Sequence, residues 1–148
     1  MRAAHICQCV YNMLMGRPAK PVPLSNIFAA LADTTRLRLL NLMAGREVCV
    51  CYFVEILRQG QPKISRHLAY LRRTGLVIAR REGKWMHYRI CPPADPAVAS
   101  ILKAALDSFR NDKQMQADLA KLDRACCTPD RLVVPEGAPR PAIVAGVQ

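Results

Sequence analysis

Long apolar runs are missing from this chain of 148 residues. No stretch approaches the roughly 20 consecutive apolar residues that a membrane span needs, so no membrane partner is expected. Gln8 and Asn12 interrupt the apolar positions that follow Arg2, and no small-residue cleavage site comes after them, so the start does not read as a signal peptide and a cytoplasmic location is expected. The sequence also lacks a glycine-rich phosphate loop, a Cys-x-x-Cys redox motif and carboxylates paired for acid–base work. A phosphatase or arsenate-reductase loop beginning at Cys7 would need arginine where Met13 stands. Together these absences exclude the common enzyme classes. No internal repeat is visible. Acid is scarce where base is dense: from Arg58 to Arg89 nine basic residues meet one acid, Glu82. That places +8 of the net +11 in 32 residues, a concentration that favours a polyanion such as nucleic acid.

Seven cysteines are present: Cys7, Cys9, Cys49, Cys51, Cys91, Cys126 and Cys127. The number is odd, and six fall into close pairs (two Cys-x-Cys and one Cys-Cys), where neighbours bridge each other only with strain. Reduced thiols used for soft-ligand or redox chemistry fit this pattern better than a disulfide framework.

Residues 1–23, with Pro18, Pro21 and Pro23 and no sustained periodicity, read as a flexible N-terminal arm. Residues 24–125 read as one domain, mainly α with a small β-hairpin. A short apolar helix is predicted from Leu24 to Leu31. Asp33 is a suitable N-cap for a second helix that carries Leu37, Leu40 and Met43 and stops at Gly45. The run Glu47-Val48-Cys49-Val50-Cys51 then leads into a short buried helix with Phe53, Val54, Ile56 and Leu57. Arg58-Gln59-Gly60 reads as a turn, with Gly60 suited to positive φ. Gln61 is placed at the next N-cap and Pro62 at the first helical position. Ile64, Leu68 and Leu71 give that helix its buried face, and Thr74-Gly75 ends it. Two short helices joined this way form a helix-turn-helix. From Leu76 to Ile90 the period changes to that of strands, turning at Glu82-Gly83-Lys84, which makes a basic hairpin or wing. A long helix from Ala97 to about Ala125 is expected to bury its apolar stripe against a second copy, giving a homodimer. Residues 126–148 read as a Cys-Cys pair followed by a disordered tail.

The DNA-reading element is expected on the Gln61–Thr74 helix, opposite its apolar face. Arg66 can pair bidentately with guanine and Gln61 can read adenine in the major groove, with Ser65 and Tyr70 on or near the same face. Lys63, Arg72 and Arg73 are phosphate anchors, as are Arg81 and Lys84 at the wing tip. His67, beside the apolar face, reads as a packing residue.

These features resemble the ArsR/SmtB family of metal-responsive repressors. The resemblance is carried by the stretch from Ala30 to Leu40, by Glu47-Val48-Cys49-Val50-Cys51, by the stretch from Gln61 to Leu68, and by Glu82 to Arg89. It spans about Leu24 to Phe109. It implies a winged-helix homodimer that occupies double-stranded operator DNA and releases it when metal binds. Arsenic-sensing members carry a Cys-Val-Cys entering the first helix of the helix-turn-helix, as this chain does. Some have a third cysteine where Val54 stands here, which leaves two local thiols.

The resemblance makes trivalent arsenic, as arsenite or a methylated arsenical, the expected inducer, bound by cysteine thiolates. Cys49 and Cys51 are the first candidate pair. They are placed at a helix N-terminus, where the dipole favours the thiolate, and residues two apart in an ideal helix point to different sides, so an ion gripping both is expected to unwind or tilt that first turn and lower DNA affinity. Cys126 and Cys127 are the second pair, and two thiols suffice for a monomethylated trivalent arsenical. A third arrangement adds Cys7 and Cys9 to Cys49 and Cys51, resembling the cadmium/lead-sensing branch. Cys91 reads as structural. Zinc sensing through the last helix is disfavoured, because residues 97–125 contain no histidine. A thiol-redox sensor on the same fold remains the nearest alternative.

Overall fold

The computed structural model describes residues 22–127 and 137–143, with the backbone alone for Cys126 and Cys127. The N-terminal arm to Pro21, with Cys7 and Cys9, and most of the tail lie outside the described residues.

Helix α1 spans Leu24–Leu31 and buries Ile27 and Ala30. Helix α2, Thr34–Leu42, starts as expected at Asp33, whose carboxylate accepts the Arg36 backbone N–H at 2.9 Å. Strand β1, Arg46–Cys49, passes directly into helix α3, Val50–Leu57. Helix α4, Gln61–Arg73, follows after a tight turn. In that turn the left-handed residue is Arg58 (φ 54°), while Gly60 has φ −60° and is itself the N-cap of α4. The sequence expectation placed the positive φ at Gly60 and the cap at Gln61. Both shift because α3 closes at Leu57, so the C-cap position, which most often reverses the chain, falls on Arg58.

Strands β2 (Val77–Glu82) and β3 (Trp85–Ile90) form the expected hairpin, reversed at Gly83 with φ 58°. The sheet order is β2-β3-β1-β4, all antiparallel. β4 is Ala142–Ile143, which pairs with Glu47 and Arg46 of β1. The stretch read as patternless tail thus contributes an edge strand.

The long C-terminal helix is two helices. α5 spans Pro96–Ser108, a short 3-10 turn covers Phe109–Asn111, and α6 spans Lys113–Cys127. Asp112 explains the break, since its carboxylate accepts the Met115 backbone N–H at 2.9 Å and caps a new helix. α6 folds back on α2. Arg38 grips the fully buried Asp118 through two hydrogen bonds of 2.6 and 2.9 Å, and the buried Asn41 side chain donates to the Met115 carbonyl at 2.9 Å.

One core joins these elements. Leu39, Leu40, Phe53, Ile56, Ile64, Leu68, Leu71, Leu76 and Ile90 are its large buried side chains, and Leu122 and Ala125 of α6 reach the same cluster. Among the described residues no helix is long and apolar enough to cross a membrane.

Candidate functional site

The apolar triplet of α4 dictates what its other side can do. Ile64, Leu68 and Leu71 are fully buried, which turns Gln61, Lys63, Arg66, Arg72 and Arg73 outward, all exposed, with Ser65 partly covered. Among the described residues none of these cations is paired with a carboxylate, so the face presents unneutralised charge at the start and along the length of the helix. This is the geometry that docks a helix in the major groove. His67 does pack as expected, with Nδ1 3.4 Å from the Asp33 carboxylate, and burial holds its pKa below the ordinary value.

Tyr70 behaves differently from its neighbours. Its ring is half-buried between two guanidinium groups, Arg36 at 4.4 Å and Arg73 at 5.4 Å from the ring centre. Arg36 is fixed in turn by the Ala30 and Ala29 carbonyls, each at 2.7 Å. Sequence reasoning did not single out Arg36. Its signal was the cap at Asp33, which sets the start of α2 and with it the place of Arg36 over α4.

The wing carries Arg81 and Lys84, both exposed, at its tip. Arg81 Nε donates to the Gly83 carbonyl at 3.0 Å, and the Lys84 ammonium lies 4.9 Å from the centre of the Trp85 ring. Arg80, one residue before the tip, is instead held inward. It donates to one Glu47 oxygen at 2.6 and 3.1 Å, and to Glu82 at 2.7 Å.

Cys49 and Cys51 come together at the junction of β1 and α3. Cys49 is the last strand residue and the N-cap of α3 and is fully buried; Cys51 is partly covered. The Cys51 thiol donates to the Cys49 sulfur at 3.3 Å. This hydrogen bond is the main reason that the Cys49 pKa falls to about 7, against the opposing effect of burial; the Cys51, Met86 and Val50 backbone N–H groups add to it. The same bond and burial push the Cys51 pKa up. The bond thus favours the negative charge on Cys49 and the proton on Cys51. Because Cys49 lies in the strand rather than the helix, the sulfurs already face each other, and one ion can bridge them without unwinding a turn, contrary to the expectation from an ideal helix.

Among the described residues no group of three or more His, Cys, Asp or Glu side chains is arranged to hold a metal ion, so the pair offers two donors. Val54 supplies no third. α6 runs through Cys126 and Cys127 as helix, and the side chains of this second pair lie outside the described residues. Cys91, read as structural, is fully buried and disulfide-bonded.

A helix-turn-helix with an outward basic helix and a basic wing defines a winged-helix DNA-binding protein. Comparison with known proteins agrees. Residues 33–79 match the model of the bacterial regulatory protein, arsR family. The chain is similar to an arsenical resistance operon repressor of Escherichia coli, 42% identical over 105 residues, covering 70% of this chain and 88% of that protein. It is 41% identical over 97 residues to the arsenic resistance transcriptional regulator ArsR1 of Pseudomonas putida, covering 65% of this chain and 74% of that one. A probable mercury resistance operon repressor of Streptomyces lividans is 38% identical over 109 residues, covering 73% and 78%. Among solved structures, HlyU from Vibrio cholerae superposes with a TM-score of 0.52 at 26% identity, covering 60% of this chain and 92% of that one. The chain belongs to the ArsR family of bacterial regulatory proteins, as a DNA-binding transcriptional repressor and not an enzyme.

Proposed function

We propose that this repressor leaves its operator when trivalent arsenic, as arsenite or a methylated arsenical, is bound by Cys49 and Cys51. The observation that carries the reading is the 3.3 Å approach of the two sulfurs, whose hydrogen bond lowers the Cys49 pKa to about 7. Soft, thiophilic ions select such donors. On arsenite, two As–O bonds break and two As–S bonds form; one hydroxide leaves as water with the proton of the Cys51 thiol, and the other takes its proton from solvent or, where Cys49 is still protonated, from Cys49. A monomethylated arsenical has two exchangeable positions, which two thiols fill. The relatives named for arsenic resistance support the metalloid, and the mercury-resistance relative keeps other soft metals as competitors. Cys126 and Cys127 form a second candidate site on the end of α6. A cadmium- or lead-type site would need Cys7 and Cys9 as well.

On the DNA side, Gln61, Ser65 and Arg66 read bases, Lys63, Arg73, Arg81 and Lys84 hold phosphates, and Tyr70 steadies Arg73. The protein works in the cytoplasm as a homodimer, each copy placing one α4 on an operator half-site.

The same sulfur–sulfur distance favours one second reading, a redox switch. There an oxidant such as a peroxide takes two electrons and two protons from the pair, is reduced to water, and leaves a Cys49–Cys51 disulfide.

Fluorescence anisotropy of the reduced protein on its upstream promoter DNA, titrated with arsenite, tests the reading. Release at near-stoichiometric arsenite that Cys49→Ser abolishes supports it. Full release in Cys49→Ser moves the site elsewhere, and release by peroxide but not by arsenite establishes the redox switch.

A further inference from the structure

Cys49 sits on the strand next to the wing as well as at the start of α3. The register pairs Cys49 with His87 and Val48 with Tyr88, both on β3. In an antiparallel pair, directly opposed residues share a face. Glu47, two residues before Cys49, therefore lies on the same face, and so do His87 and its β2 partner Arg80.

On this face Glu47 acts as a clasp. Its side chain is mostly covered and binds the Arg80 guanidinium through one oxygen, at 2.6 and 3.1 Å, while its other oxygen lies 3.8 Å from Arg89 Nε. Beneath the clasp the His87 ring is almost fully buried. Its Nδ1 lies 3.9 Å from Glu47, and its Nε2 has no hydrogen-bond partner. Glu47 thus ties β1, and with it the sensor cysteine, to both strands of the wing. Arg81 and Lys84 project from the end of those strands.

We propose that Glu47 is a positioning residue that couples the Cys49–Cys51 pair to the wing, so that a soft ligand on the two sulfurs loosens the grip of Arg81 and Lys84 on DNA. The inference rests on the reading of that pair as the inducer site. Two features of the geometry support it. The ion takes up the sulfur lone pair that the Cys51 thiol now uses, so its arrival rebuilds the contacts of the residue that pairs with His87 on β3. The sulfurs need not separate to receive it, so the strain falls on what surrounds Cys49, and the wing strand is its immediate neighbour.

The test uses the full-length reduced protein, arsenite as the probe, and operator affinity measured across a range of salt. Occupancy is read separately, as peptide-resolved protection from alkylation of Cys51, the partly covered member of the pair. In the wild type, arsenite should weaken binding about tenfold or more and flatten the salt dependence by about one unit for each phosphate contact given up. Glu47→Ala should keep full occupancy while release shrinks to less than about threefold, with Glu47→Gln, which keeps an acceptor for Arg80, in between. The surface double variant Arg81→Gln/Lys84→Gln, which alters no buried group, should start with the flatter salt dependence and respond little to arsenite. Occupied cysteines with wild-type release in both Glu47→Ala and the double variant would overturn the coupling. A Cys51 that arsenite leaves unprotected in the wild type would overturn the inducer site itself, a result seen in the occupancy alone.

Discussion

The outer face of α4 and the polar face of the wing sheet are both rich in arginine, yet they dispose of that charge in opposite ways. On α4 the cations stand outward, and no carboxylate pairs with them among the described residues. On the sheet, Glu47 and Glu82 take up Arg80, and Glu47 also lies close to Arg89. Charge left open serves a partner still to arrive. Charge neutralised within the fold holds strands in register and can transmit a displacement. The six residues between Arg73 and Arg80 thus separate an open basic helix face from a sheet face whose charge is neutralised within the fold.

The largest effect on this contrast should come from removing what turns the α4 face outward. Leu68→Ala should cost about 2–5 kcal/mol of stability in urea unfolding, because Leu68 is fully buried, and DNA binding should fall in parallel. Next, Arg66→Ala should lose about 1–3 kcal/mol of operator affinity and relax preference at one base pair, without changing the melting temperature. Lys63→Gln should weaken operator and random DNA alike and lower the salt slope by about one unit, seen by anisotropy. The smallest effect, and the sharpest for the control side, concerns pH. The thiolate absorbance that Cys49→Ser removes should rise as pH passes through about 7, since the Cys49 pKa is lowered. In Cys51→Ala that midpoint should move upward, because the thiol that donates to the Cys49 sulfur is gone. An unmoved midpoint would refute the shared proton.

Much of this was legible in the sequence where local pattern decides structure. The bounds of α1, the cap at Asp33, the apolar triplet of α4 and the wing hairpin all follow from spacing within about a dozen residues. Other features depend on distant partners. Glu47 looked like part of a cysteine motif, and its role appears only when a residue 33 positions away is placed beside it. Asp118 reads as a solvated helix position until Arg38 from α2 reaches it. The exchange of roles between Gly60 and Arg58 was hidden for another reason: composition marks where a turn falls but not which of its residues reverses the chain. The polar run Arg110-Asn111-Asp112 was visible, and a capping reading of Asp112 would have split the last helix.

The pairing of Ala142 and Ile143 with β1 also bears on how the folded chain avoids its own kind. Without β4, β1 would end the sheet and present unpaired backbone N–H and carbonyl groups along Arg46 and Glu47, a template on which strands of other molecules can add. With β4 in place, that edge is covered by a strand of only two residues, with Ile143 almost wholly exposed. A strand so short offers an incoming chain little to extend. The last residues of the described tail therefore act as a guard against edge-to-edge association, placed beside the strand that carries Cys49.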